Sequence, residues 1–154
     1  MQEATHGLII EASSTINAPV EKVWSILIDF ARYAEWNTFV PSMQTTLQVG
    51  SPLTMGVRMR KRLFIKIRAT VSAVEFQHRL AWVPKMPAWF LKSERLQVIT
   101  ALDAGTTRYW TCEVFTGMAS PLLRLLLRKD LQLGFASVAQ DLKARAETMA
   151  HVEL

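Results

Sequence analysis

The 154-residue sequence has little of several things, and each shortage excludes something. It has one cysteine, Cys112, so no internal disulfide framework and no multi-cysteine metal site is available. It has three histidines, His6, His78 and His151; two stand near the termini, the third sits between Gln77 and Arg79, and none has metal-ligand spacing. No apolar run approaches the roughly 18 residues of a membrane span. The N-terminus lacks a basic segment followed by a long apolar one, which argues against a secretory leader. A reducing, cytoplasmic setting is the expectation. Gly-rich phosphate loops, nucleophile-elbow patterns, helix-turn-helix, zinc-finger and RNP-type signatures are also missing, so nucleic acid is not an expected partner. No metal or cofactor is expected, no catalytic set stands out, and no oligomeric state is implied.

What the sequence does have is apolar bulk. Half of the residues are hydrophobic and one fifth are charged, enough for one domain spanning 1–154 with a sizeable core. Eighteen basic residues against 13 acidic ones give a net charge of +5. Six of the basic residues lie between Arg58 and Arg68. They read as the solvated outer face of a hairpin or, more sharply, as an anion-attracting rim.

Periodicity sets the elements. Residues 8–17 read as a strand. Pro19 opens a short amphipathic helix over 19–28, with Asn17 the better of two candidate caps, and Asp29 can cap a second short helix to about Ala34. Alternation then predicts a weak strand at 43–49, strands from Leu53 to Met59 and from Leu63 to Ala73, and a short one around Leu80 and Trp82. Arg60-Lys61-Arg62 should be the turn between the second and third of these. Two longer strands at 92–102 and 106–117 flank a Gly105 turn. From Ser120-Pro121 the apolar residues step by three or four from Leu123 to Ala146, predicting one long helix over about 121–148. Gly134 interrupts it, which suggests a close packing contact or space left open beside it. Serial strands and one long helix make the fold α+β, with an antiparallel sheet.

Candidate functional residues follow from phase. In the last strand Tyr109, Thr111, Glu113 and Phe115 share one face, and in the strand before it Arg95 and Gln97 do. An acid on an apolar face needs partners, and Arg95 is the candidate; the pair is either a structural ion pair or the group that orients the polar end of a ligand. Five tryptophans, Trp24, Trp36, Trp82, Trp89 and Trp110, read as core or as cavity wall. Cys112 reads as inert. Residues 85–91 form an apolar loop, either tucked into the core or exposed as a binding surface.

The segments Ile16–Trp24, Asp29–Asn37, Val49–Leu53, Arg79–Trp82, Gly105–Tyr109 and Glu113–Gly117, in this order and spacing, resemble the SRPBCC superfamily, the START, polyketide cyclase and birch-pollen-allergen group. The resemblance spans about residues 8–148. It implies a helix-grip fold: a curved sheet of about seven strands around the long C-terminal helix, with two short helices after the first strand and an internal cavity. It implies Trp36 and Asn37 at the base or mouth of that cavity, and supports the inward placement of Tyr109, Thr111, Glu113 and Phe115. Where related sequences often carry a histidine or other polar group before the hairpin, this one has Arg95.

The expected function is binding of a lipophilic small molecule: a lipid, a polyketide-like compound or an isoprenoid. The sites expected to line the cavity are Trp36, Asn37 and Phe39 from the loop after the short helices, and Ile67, Ala69 and Trp82 from the middle strands. Arg95, Gln97, Tyr109, Thr111, Glu113 and Phe115 are expected from the last two strands, and Leu127, Leu131 and Phe135 from the helix. The alternative is a polyketide aromatase, cyclase or dehydratase using Glu113 as its acid–base group. A third reading adds transient contact with a membrane or a protein through the basic hairpin and the Trp89-Phe90 loop.

Overall fold

The computed structural model describes residues 7–59 and 63–152. The expected Arg60-Lys61-Arg62 turn lies outside them. Seven strands form one open, curved, antiparallel sheet: β1 (Leu8–Ile16), β2 (Ser42–Thr45), β3 (Pro52–Met59), β4 (Leu63–Glu75), β5 (Arg79–Pro84), β6 (Arg95–Asp103) and β7 (Thr106–Phe115). Their order across the sheet is β1-β7-β6-β5-β4-β3-β2, so every neighbour after the β1–β7 pair is a hairpin partner. Register irregularities fall at Val71/Ala73 in β4 and at Ala101/Asp103 in β6, and such bulges sharpen the local twist. The helices are α1 (Val20–Ile28), a 3₁₀ helix at Phe30–Glu35, α2 (Ser120–Leu126) and α3 (Arg128–Val152).

The expected α+β helix-grip architecture is what the chain adopts, with three local corrections. The cap of α1 is Pro19 rather than Asn17: the Pro19 carbonyl accepts from Lys22 and Val23, while Asn17 N–H is turned to Glu147 Oε1 at 2.9 Å. Several strand ends also move. β2 stops at Thr45, because Leu47 takes a positive φ of 57° and breaks the extended run, and β6 begins at Arg95, after an isolated Lys92–Thr116 bridge.

The third correction concerns the single helix expected over 121–148. It is two segments that meet at Leu127, whose φ of −121° and ψ of −1° leave the helical region. Leu127 N–H still donates to Leu123 O (2.8 Å) and Leu131 N–H to Leu127 O (2.9 Å), so hydrogen bonding carries across the bend. The apolar stripe keeps its phase through it, which is why periodicity alone shows one helix.

α3 is the gripped element. Its Val138, Ala139, Leu142 and Ala146 are buried against the concave sheet face. Ser14 Oγ donates to Ala139 O (2.9 Å), Gln132 Nε2 to Glu11 O (2.7 Å) and Lys143 Nζ to Thr15 O (2.7 Å), so three side-chain bonds lash the helix along β1. Thr38, in the loop after the 3₁₀ helix, donates from Oγ1 to Asp141 Oδ2 at 2.7 Å and holds that loop on the helix from the other side.

Candidate functional site: a cavity between the sheet and the helix bend

Gly134 shows how the helix is spaced from the sheet. A Cβ placed there would stand 2.6 Å from Phe39 Cζ, so the glycine is a notch filled by the Phe39 ring. Phe39 in turn lies 6.0 Å from the ring of Phe135. Beyond this ring pair, towards the helix bend, sheet and helix separate and leave a cavity of about 530 Å³. That lies within the range of about 300–1,000 Å³ common for small-molecule sites.

Its walls are mostly apolar. Met55, Val57 and Met59 come from β3, Ile65 and Ile67 from β4, and Trp82 from β5. The helical side supplies Leu123, Leu127, Leu131 and Phe135, and Leu91 and Phe115 add to the wall. Three polar groups converge on it from β6, β7 and the residue pair before β6. Arg95 and Glu113 are directly opposite in register, with Ser93 of the same phase two residues ahead of Arg95. All three are buried.

Their contacts differ from the expected ion pair. Arg95 Nε donates to Thr111 Oγ1 (2.8 Å), and its guanidinium carbon stacks 3.9 Å from the centre of the Phe135 ring. Glu113 Oε2 accepts from Ser93 Oγ at 2.7 Å. Among the described residues no ion pair joins Arg95 to Glu113. Burial pushes the Glu113 carboxyl above the ordinary carboxylate range, and the Ser93 hydrogen bond and the nearby Arg95 charge only partly oppose it. The cavity therefore contains a cation held by a ring and a hydroxyl, and an acid disposed to keep its proton.

Nine of the residues expected at the site border this cavity: Phe39, Ile67 and Trp82; Arg95, Glu113 and Phe115; Leu127, Leu131 and Phe135. The other six are buried behind its wall and hold it in place. Trp36 packs edge-on against Tyr33, ring centres 5.0 Å apart, and Asn37 Oδ1 accepts from Val40 N–H at 2.8 Å, which shapes the loop that presents Phe39. Tyr109 donates its hydroxyl to Gln97 Oε1 at 2.6 Å, and burial raises the Tyr109 phenol pKa. Thr111 accepts from Arg95 and donates to Leu96 O (2.8 Å), which makes it the bracket for the guanidinium. Ala69 is a small buried residue of β4.

Sequence reasoning missed Ser93, whose parity with Arg95 and Gln97 was the available signal. It also missed Met55, Val57 and Met59, which the alternation on β3 had placed on one face. Lys66 and Arg68 from the basic run, together with Lys85, border the cavity on its solvent side, and Lys85 N–H bonds Arg68 O at 2.8 Å. Part of the basic run thus borders the cavity. Cys112 is half-buried on β7, its thiol pKa raised by burial. Among the described residues no three His, Cys, Asp or Glu side chains gather into a group that could hold a metal ion.

The fold is shared with several solved structures. The chain superposes on the Zhui aromatase/cyclase from Streptomyces sp. R1128 with a TM-score of 0.78 at 16% identity, covering 94% of this chain and 96% of that one. A START superfamily protein from Mycobacterium smegmatis gives 0.71 at 17% identity, covering 92% and 98%. Norcoclaurine synthase from Thalictrum flavum gives 0.70 at 9% identity, covering 97% and 99%. A search of curated protein sequences returns no match. Residues 8–147 match the family described as polyketide cyclase/dehydrase and lipid transport, and with that match over a helix-grip fold the chain belongs to this family.

Proposed function

We propose that the protein is a single ligand-binding domain, at work in the cytoplasm, that takes a lipophilic small molecule with a polar or anionic end. One observation carries this reading: an apolar cavity of about 530 Å³ into which one buried, ring-stacked guanidinium is directed. Met, Leu, Ile and Phe side chains suit a lipid, polyketide-like or isoprenoid body. Arg95, with Nε engaged by Thr111 and the Tyr109 hydroxyl also within hydrogen-bonding reach, brings a buried positive charge that would suit a carboxylate or carbonyl. The family match is described as polyketide cyclase/dehydrase and lipid transport, which supports a polyketide-like or lipid ligand.

The test uses an anionic, lipophilic probe, anilinonaphthalene sulfonate, and native mass spectrometry of the purified protein. A co-purified mass of a few hundred daltons and saturable probe binding are expected. Arg95→Gln should weaken probe binding by about 1–3 kcal/mol, the scale of a hydrogen bond to a charged group. Equal affinity in both proteins, with no co-purified mass, would falsify the reading.

A second reading, a polyketide aromatase, cyclase or dehydratase, is favoured by one specific feature. Glu113 is a buried carboxyl bordering the cavity, its pKa raised by burial, and such a perturbed group is a candidate proton donor or acceptor. Glu113→Gln separates the two readings. Loss of turnover on an aromatic polyketide with binding retained supports the enzyme; a change confined to affinity supports the binder.

A further inference from the structure

We propose that residues 84–92 and α2 together form a docking surface for an anionic lipid bilayer, set at the mouth of the cavity. The Trp89-Phe90 loop of the expected contact is kept, and α2 takes the place of the basic hairpin beside it.

The two segments form one unit. Met118 N–H bonds Trp89 O (3.0 Å), Ala119 N–H bonds Phe90 O (2.8 Å), and Lys92 and Thr116 exchange a pair of backbone bonds at 2.8 Å. Gly117 makes the approach possible: its φ is +107°, and a Cβ there would stand 2.8 Å from Phe90 O. The turn is held by the main chain, so the residues it displays are presented in fixed positions.

What it displays is apolar. Trp89 is 68% exposed, Met118 76% and Leu125 80%, with Met86, Leu122 and Leu126 also open to solvent. Leu122, Leu125 and Leu126 stand at i, i+3 and i+4, so they share one face of α2, while Leu123 and Leu127 face the cavity. The same short stretch is therefore greasy on both sides. A lone exposed leucine needs no explanation, but six large apolar side chains on two joined segments do.

The charge around them selects the partner. Residues 84–92 and 117–129 hold Lys85, Lys92, Arg124, Arg128 and Lys129 and no acid. Lys66 and Arg68 stand at the same mouth. Arg124 also bonds the Gly7 carbonyl, which ties α2 to the start of β1. Exposed apolar groups that include a tryptophan, on segments whose charged residues are all cations, fit the headgroup layer of a membrane carrying negative lipids. Docked so, the protein would present its cavity mouth to the acyl region, the route by which a lipophilic molecule enters without crossing water. The docking step itself does not depend on what the cavity holds.

Sedimentation with vesicles tests it, using phosphatidylcholine alone and phosphatidylcholine with one third phosphatidylserine. Binding to the anionic vesicles is expected, weaker on the neutral ones and reduced by high salt. Leu125→Ser/Leu126→Ser should lower the partition by roughly tenfold or more, and Arg128→Glu/Lys129→Glu should do so on anionic vesicles only. Trp89→Ser serves as an independent variant should the double leucine change unfold the chain, checked by its melting temperature. No sedimentation, equal sedimentation with both vesicle types, or binding untouched by the substitutions overturns the proposal. So does a dimer by light scattering that Leu125→Ser/Leu126→Ser dissolves while vesicles are ignored, which would make the patch an interface between copies.

Discussion

The two halves of the groove between sheet and C-terminal helices are built on opposite plans. Along β1, α3 is seated tightly: Leu142 is fully buried, and Ser14, Gln132 and Lys143 fasten the two elements together. Over β3 and β4 the helix side chains Leu123, Leu127 and Leu131 are only partly buried and border the cavity, with Met55, Val57, Ile65 and Ile67 on its strand side. The stripe from Leu123 to Ala146 is continuous, so the same kind of residue is core at one end and wall at the other. Burial of a hydrophobic side chain says that water is excluded from it, and only the position of the opposing element decides whether it packs or encloses. The Phe39 ring in the Gly134 notch marks the border between the halves.

The largest effect that tests this contrast comes from matched truncations. Leu142→Ala should cost about 2–5 kcal/mol in urea unfolding, as deletions in packed cores do. Leu127→Ala, on the cavity wall, should cost about 1 kcal/mol or less, since it removes atoms that already lack partners on one side. Equal losses would erase the distinction between the halves.

Gly134→Ala probes the border itself. Alanine favours a helix by about 1 kcal/mol over glycine, yet here its methyl meets the Phe39 ring, and a net loss of roughly 1–2 kcal/mol is expected. Because Phe39 also borders the cavity, probe binding should change along with the melting temperature; a gain in stability would mean that the ring moves aside freely.

The smallest effect sharpens the cavity side. Glu113 has its folded pKa raised above the ordinary 4.5 by burial, so the folded state holds its proton more tightly than the unfolded chain. At pH below 4.5 the acid is neutral in both states and costs nothing. As pH climbs through the raised folded value, the buried charge reduces stability, and Glu113→Gln escapes this. The stability of Glu113→Gln relative to the parent should therefore rise with pH from acid to neutral, measured by urea unfolding across that range. A difference that stays flat would place the carboxyl in water.

Much of the fold was legible because alternation and three-to-four spacing report which face is buried. Tyr109, Thr111, Glu113 and Phe115 fell on the buried face of β7 from phase alone. The bend at Leu127 was not legible, since a change of axis leaves the spacing intact. The division of the site into wall and support was not legible either: Gln97 and Glu113 have the same pattern, but one is engaged by Tyr109 behind the wall and the other borders the cavity. Ser93 lies just before β6 begins, where strand alternation is weakest, though its parity was right. The border, by contrast, left a mark in the sequence, because a glycine within a long apolar stripe signals something pressed against the backbone.

The placing of β1 at the sheet edge beside β7 bears on how the chain becomes this molecule. Leu8 pairs with Phe115 and Ile16 with Thr107, so β1 waits for β7, the last of the seven described strands, before it gains a neighbour. Until then β2 to β6 can assemble by successive hairpins, while β1 remains an unpaired apolar ribbon with Ile10 and Ile16 uncovered. Closing so long a loop is slow relative to hairpin formation, and an open strand edge is a template for other chains. A nascent chain released before Phe115 would hold a sheet without its first strand and no α3 to grip. Self-association during synthesis, rather than loss of the finished fold, is the hazard that this strand order builds in.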